Sequence, residues 1–226
     1  MVCTPTRTRT TSRSSVRRRD TAPAPSAARP QRPALKACCA DFYADDNVRR
    51  ILGDSFHPGG EALTRELLAA VRVGPADRLL DVAAGPGASS VLAAVATGCR
   101  VTALDLSQKN LQHAAALART RGVAQLVEVR PADAERLPFP DESFDVVLCE
   151  CAFCTFPDKT RAAAEMARVL RPGGRLALSD MVLDRDRFPA DLDTLLLRVA
   201  CIADAIPGPA LVRQFADTGF AGLELH

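Results

Sequence analysis

Two groups of residues in this chain have the types and spacing to do chemistry. The first is acidic and glycine-rich: Asp81-Val82-Ala83-Ala84-Gly85-Pro86-Gly87, then Asp105 eighteen residues beyond Gly87, then Asp133-Ala134-Glu135. Glycines at 85 and 87 let a backbone turn sharply and approach a ligand closely. An acid at the position of Asp105 can accept hydrogen bonds from both hydroxyls of a ribose. The second group is thiol-rich: Cys149, Cys151 and Cys154, then Cys201 fifty residues after Cys151, and the adjacent pair Cys38 and Cys39. Thiolates are soft ligands and suit soft acceptors. A zinc or cluster site at Cys149-x-Cys151-x-x-Cys154 has no His or fourth close Cys to complete it, so no metal ligand is assigned.

The pattern of apolar residues says which elements must bring these groups together. Glu61–Val73 has helical spacing, and Arg78–Ala84 is a short apolar run ending in a Gly-Pro-Gly turn, read as a buried strand. Ser89–Thr97 reads as a helix and Arg100–Leu106 as a second strand; Ser107 is a good N-cap for a helix ending near Gly122. Leu126–Val129 and Phe144–Glu150 read as strands three and four. Asp158 caps a helix through Leu170, which stops at Arg171-Pro172-Gly173-Gly174, and Arg175–Leu183 reads as strand five. Asp191–Ala205 and Gly208–Thr218 look helical, and Phe220–Leu225 begins a sixth strand. Such alternation implies an α/β, Rossmann-like fold: a mostly parallel sheet with helices on both faces. Ligands of these sheets sit at the carboxyl ends of the strands, where the acidic, glycine-rich group and Cys149 to Cys154 fall; Cys201 lies in a helical stretch after strand five, and Cys38 and Cys39 ahead of the fold proper.

Composition narrows the class. The 226 residues carry a formal charge of +2 and 47% hydrophobic residues, enough for one domain with a substantial core. No apolar run approaches the ~18 to 20 residues of a membrane span, and no secretory signal is visible, so a soluble, cytoplasmic protein with reduced thiols is expected. Residues 1–33 hold eight arginines against one acid and few large apolar side chains. They read as a disordered extension: a transit peptide, a nucleic-acid-binding arm or a nonfunctional leader. Residues 34–73 read as a helical cap segment and 74–226 as the ligand-binding domain. The folded part shows no basic patch for nucleic acid. The expected partner is a small molecule, bound by a monomer or homodimer.

Two ligands compete for the glycine-rich turn. A dinucleotide site wants a third glycine three places after the second, and here that place is Ser90. S-adenosylmethionine (AdoMet) has no phosphate and needs no such glycine; Asp81 also suits a ligand with a positive amino group, and an acid after strand three can receive the adenine amino group.

The segments LLDVAAGPG, ALDLS, ADAERLPFPDESFDVVL and MARVLRPGGRLALSD resemble the class I AdoMet-dependent methyltransferase family, from about residue 61 to the end. The resemblance implies that Asp81, Gly85 and Gly87 hold the methionine end of AdoMet, Asp105 with Leu106 the ribose, and Asp133 with Ala134 the adenine. Glu150 and Tyr43 complete the expected cofactor contacts. Ala83 replaces a common first glycine, and the family's antiparallel strand seven is expected to be missing.

The thiol set resembles that of arsenite methyltransferases, which bind trivalent arsenic through three cysteines. Cys151 and Cys201 match two of these, and Cys38 or Cys39 the third; Glu150 stands where that family usually has Asn, Cys154 is extra, and the family's C-terminal domain is absent. Alternatives remain: methylation of a small organic metabolite with structural cysteines, or a non-catalytic AdoMet- or metalloid-binding protein. Cys149 and Cys99 read as core residues. His57, in Ser55-Phe56-His57-Pro58-Gly59-Gly60, reads as a residue that closes the cofactor site, acts as a base, or caps the next helix.

Overall fold

The computed structural model describes residues 32–53, 56–189, 194, 197, 201–202 and 204–224. The extension read over 1–33 lies outside them except for its last two residues, as does most of the helix read over 191–205.

Two helices precede the domain: α1 (Arg32–Ala44) and α2 (Asp46–Leu52), the latter started by Asp45, whose carboxylate accepts from the backbone N–H of Asn47 at 2.7 Å and of Val48 at 3.3 Å. Helix α3 (Gly60–Ala70) leads into β1 (Arg78–Val82), α4 (Ala88–Thr97), β2 (Arg100–Asp105), α5 (Gln108–Thr120) and β3 (Val127–Pro131). Then follow β4 (Phe144–Glu150), α6 (Lys159–Val169), β5 (Leu170–Ser179) and α7 (Gly208–Ala216). The two expected N-caps form: the Ser107 side chain accepts from the backbone N–H of Asn110, and that of Asp158 from Arg161.

The five strands are all parallel, in the order β3-β2-β1-β4-β5. Strand order reverses between β1 and β4, which opens a crevice at their carboxyl ends. Alternation along the strands feeds two cores. Leu80, Val82, Val147 and Cys149 pack with Ala162 and Met166 of α6 and Leu211 and Phe215 of α7. Leu79, Val101, Val146, Leu148 and Cys99 pack with Leu68 of α3 and Ala93 and Ala94 of α4. Cys149 and Cys99 are thus core residues, as expected. Burying each of these Leu or Val side chains contributes ~1.5–3 kcal/mol, and burial on both faces is why the strands read as continuous apolar runs.

Three boundaries differ from the sequence reading. Strand β5 begins at Leu170, because Leu170 pairs with Phe144 and Arg175 with Val146, and the Arg171-Pro172-Gly173-Gly174 stretch forms an irregularity between these two pairs. Gly174 permits this: a Cβ there would meet the carbonyl oxygen of Arg171 at 2.8 Å. The strand ends at Ser179, not Leu183. Residues 220–224 form no strand, since Gly219 and Gly222 take φ of 97° and 65°, incompatible with an extended run. Among the described residues no helix is long and apolar enough to cross a membrane.

Candidate active site

The carboxyl ends of β1, β2 and β4 and the inner face of α1 line a cleft of about 120 Å3. Its floor is the turn after β1. Ala83 takes a left-handed φ of 60°, the conformation that favours glycine at this place, and Gly85 follows at 54°. The Phe56 ring lies close over Gly85, 3.3 Å from where a Cβ would stand. Gly87 does something else: it does not line the cleft. Its φ is 87°, and a Cβ would strike Ala114 of α5, whose Cα is 2.8 Å away. That glycine serves helix packing, while Gly85 lines the cleft.

Asp81 is buried at the end of β1 and accepts a 2.5 Å hydrogen bond from Ser90 Oγ. The serine in the third-glycine place therefore has a positive task. Burial pushes the Asp81 carboxyl up to about 7, against the pull of Ser90 and with a push from Glu150 and Asp105. Asp105 ends β2 with Oδ2 accepting from the Gly85 backbone N–H at 2.9 Å and Oδ1 from that of Ser107 at 2.7 Å. Burial raises its carboxyl while these bonds oppose the rise. Leu106, beside it, lines the cleft and is exposed.

At the far end, Asp133 accepts from the Glu135 N–H at 2.9 Å and from Lys36 Nζ at 2.6 Å. Lys36 also reaches Glu135 at 2.6 Å. Burial alone would lower its pKa, yet the two carboxylates hold it above the ordinary lysine range. Lys36, Cys39, Ala40 and Tyr43 all line the cleft. Their spacing of i, i+3, i+4 and i+7 makes them one stripe of α1, and Cys38, one residue off the stripe, is exposed.

The thiols gather beside β4. Cys151 leaves the strand with φ 50° and lines the cleft; Cys201 has φ 63°, is buried, and does not line it. Left-handed backbone at two non-glycine residues stores strain of ~1 kcal/mol or more each. Cys201 Sγ donates to the Cys151 carbonyl oxygen at 3.1 Å and lies 3.2 Å from Tyr43 Oη. Cys154 and Cys201 pack in the same small cluster, with Tyr43 and Cys151 against it. All four thiols sit above the ordinary cysteine range. For Cys151 the hydrogen bond with Cys201 and then burial are the causes. For Cys154 the bond with Cys201 pulls down, but burial and Asp180 prevail, to about 11. For Cys201 the bond with Cys151 pulls down and the bond with Cys154, with burial, outweighs it. Burial takes Cys39 up to about 11. Among the described residues, no three His, Cys, Asp or Glu are grouped to hold a metal ion.

One further group could not be read from spacing. Thr64 Oγ1 of α3 donates to Glu150 at 3.0 and 3.2 Å, and His57 Nε2 lies 3.8 Å from Glu150 Oε1. These side chains, with Lys36 and Phe56, come from the segment ahead of β1. Its only sequence signal was the concentration of small and polar residues around His57.

The cleft fits AdoMet on its own chemistry. Asp81 and Glu150 are two buried carboxylates, and among the described residues neither pairs with Lys or Arg, so the methionine end suits a cationic ligand.

A family model described as "Methyltransferase domain" matches residues 80–178. The chain is 36% identical over 197 residues to the 27-O-demethylrifamycin SV methyltransferase of Amycolatopsis mediterranei, covering 81% of this chain and 71% of that one. It is 33% identical over 159 residues to the methyltransferase GfsG of Streptomyces halstedii, covering 63% of this chain but only 57% of that protein's length. The solved structure of geranyl diphosphate methyltransferase in complex with SAM superposes with a TM-score of 0.62 at 25% identity, over 70% of this chain and 64% of that one.

Proposed function

We propose, for a chain that belongs to the class I AdoMet-dependent methyltransferases, that it transfers the AdoMet methyl group to a small, soft acceptor held by cysteines, with arsenite as the leading candidate. AdoMet is the cofactor. When bound it supplies a methyl group on a cationic sulfur, open to in-line attack by a nucleophile. Asp105 and Leu106 would hold its ribose, Asp133 and Ala134 its adenine, and Asp81, Gly85 and Glu150 its methionine end. Tyr43 and Phe56 would exclude water from the transfer.

The observation that carries the acceptor reading is the gathering of Cys151, Cys154 and Cys201 beside Tyr43, with Cys39 on the facing helix stripe. Cys151, Cys201 and Cys39 would bind the metalloid; the alternative third ligand, Cys38, is exposed and off the stripe that lines the cleft. Arsenous acid condenses with neutral thiols: three As–S bonds replace three As–O bonds, and each departing hydroxyl leaves as water with a thiol proton. No thiolate need form first, which suits thiols held above their ordinary range. Cys201 must give up its contacts with Tyr43 and the Cys151 carbonyl to take part. The arsenic lone pair then needs positioning and a dry site, with no general base.

A second reading has its own support. The Tyr43–Cys201–Cys151 chain is a closed hydrogen-bond network of the sort that merely packs a wall. The relatives named above are methyltransferases with no metalloid in their names, one of them named for 27-O-demethylrifamycin SV. On that reading the acceptor is a small organic metabolite. Either acceptor accords with a cytoplasmic monomer or homodimer that uses neither nucleic acid nor membrane.

Calorimetric titration tests the cofactor: AdoMet binds the wild type, and Asp105→Ala loses binding. Incubation with arsenite and methyl-labelled AdoMet tests the acceptor. Methylated arsenic is expected from the wild type and not from Cys151→Ser or Cys201→Ser; no labelled arsenic, or equal yields from these variants, overturns the arsenite reading.

A further inference from the structure

Glu150 is an unusual residue for its place. It ends the interior strand β4, its side chain is only 3% exposed, and its carboxylate lies near a second buried carboxylate, Asp81. An unpaired anion in such a position is costly, by several kcal/mol in a poorly solvated interior. Its surroundings compensate only in part. Thr64 Oγ1, on a residue 1% exposed, donates to the carboxylate at 3.0 and 3.2 Å from its two oxygens. His57 Nε2, on a side chain 4% exposed, stands 3.8 Å from one oxygen, beyond hydrogen-bond reach. Ser89 Oγ lies 3.5 Å from both Thr64 Oγ1 and His57 Nε2 and closes the group. Glu150, His57 and Ser89 all line the cleft, and Thr64 stands behind them on α3.

A hydroxyl has one proton. Thr64 therefore fixes the carboxylate's position while leaving most of its lone pairs unclaimed. Those remaining lone pairs sit at the methionine end of the cleft, where AdoMet carries an α-ammonium group.

We propose that Thr64 is a positioning residue: it holds the Glu150 carboxylate in place to receive the cofactor's α-ammonium, with His57 and Ser89 walling the group off from water. The inference rests on the AdoMet reading and adds to it a residue from the segment ahead of β1. That segment thereby helps form the methionine end, which is otherwise built from strand ends.

Two ligands of the full-length protein separate a positioning role from a structural one. S-adenosylhomocysteine carries the amino-acid end; 5′-methylthioadenosine has the same adenine and ribose without it. Hydrogen bonds to charged groups support an effect of about tenfold on S-adenosylhomocysteine affinity for Glu150→Gln and about fivefold for Thr64→Val. Both variants should bind 5′-methylthioadenosine as the wild type does, and Thr64→Ser should restore S-adenosylhomocysteine binding. The proposal is overturned if Thr64→Val binds S-adenosylhomocysteine as tightly as wild type, or if it loses affinity for both ligands in parallel. Failure of the wild type to bind either ligand overturns the AdoMet reading itself, a separate outcome.

Discussion

Asp81 carries a conflict that a single substitution can expose. Its carboxyl titrates at about 7 in the folded chain because the site is wholly enclosed, against ~3.9 for an exposed aspartate. The folded state therefore binds this proton more tightly than the unfolded state. The contribution to stability is most favourable below the unfolded value and declines as pH rises from ~4 through about 7. Asp81→Asn removes that decline. In urea unfolding without ligand, the variant should gain on the wild type between pH 5 and pH 8. Its AdoMet affinity at pH 8 should fall, because the ionised carboxylate facing the ammonium end is gone. A stability profile over this range parallel to the wild type's would contradict the burial argument.

At the scale of elements, the turn after β1 and helix α1 depend on close packing at single points. Gly87 lets α4 start directly against α5, and its left-handed φ adds a second demand. Gly87→Ala must strain the backbone and push against Ala114, at a cost of about 3 kcal/mol read as a lowered urea midpoint. Gly85 faces the ligand instead, so its replacement should weaken binding more than folding. Helix α1 is tied down by Lys36 at the adenine end and by Tyr43 at the thiol end, seven residues apart on one stripe. Lys36→Met removes one tie. A partly buried ion pair of this kind contributes ~1 kcal/mol, so backbone amides of α1 should exchange with deuterium about fivefold faster. Unchanged exchange there would mean that Tyr43 and the apolar contacts hold the helix alone.

At the scale of the molecule, the ligand joins three strand ends, the loop after β3 and the segment ahead of β1, so its binding should stabilise the whole domain. At a hundredfold excess over Kd, S-adenosylhomocysteine is expected to add ~2.7 kcal/mol. For a chain of this size that raises Tm by about 5–10 °C, and Asp105→Ala should abolish the shift. One fold can carry many different acceptor sites, because residues outside the cofactor cleft vary independently of the strands that form it, which is why membership of the family leaves the acceptor open.

The cofactor half was legible in the order of residues because it is built from local units. A strand, a glycine turn and a helix are contiguous in the chain, and the apolar period that marks the strand also locates its carboxyl end. Asp81, Gly85, Asp105 and Asp133 could therefore be placed at strand ends and their turns from spacing, their ligand roles coming from the family resemblance, and four of the five strands fell close to their expected ranges. Gly87 shows the limit: its type was legible, but only the neighbour Ala114, 27 positions on, reveals that it answers to helix packing. The Thr64–Glu150 contact spans 86 positions and the Cys201–Cys151 contact 50, and no local period records either. Tertiary structure alone decided that Ser90 holds Asp81, that Lys36 holds Asp133, and that Cys39 faces inward while Cys38 faces out. Short-range patterns are set by the backbone's own geometry; the neighbours of a buried polar group are set by which elements pack together.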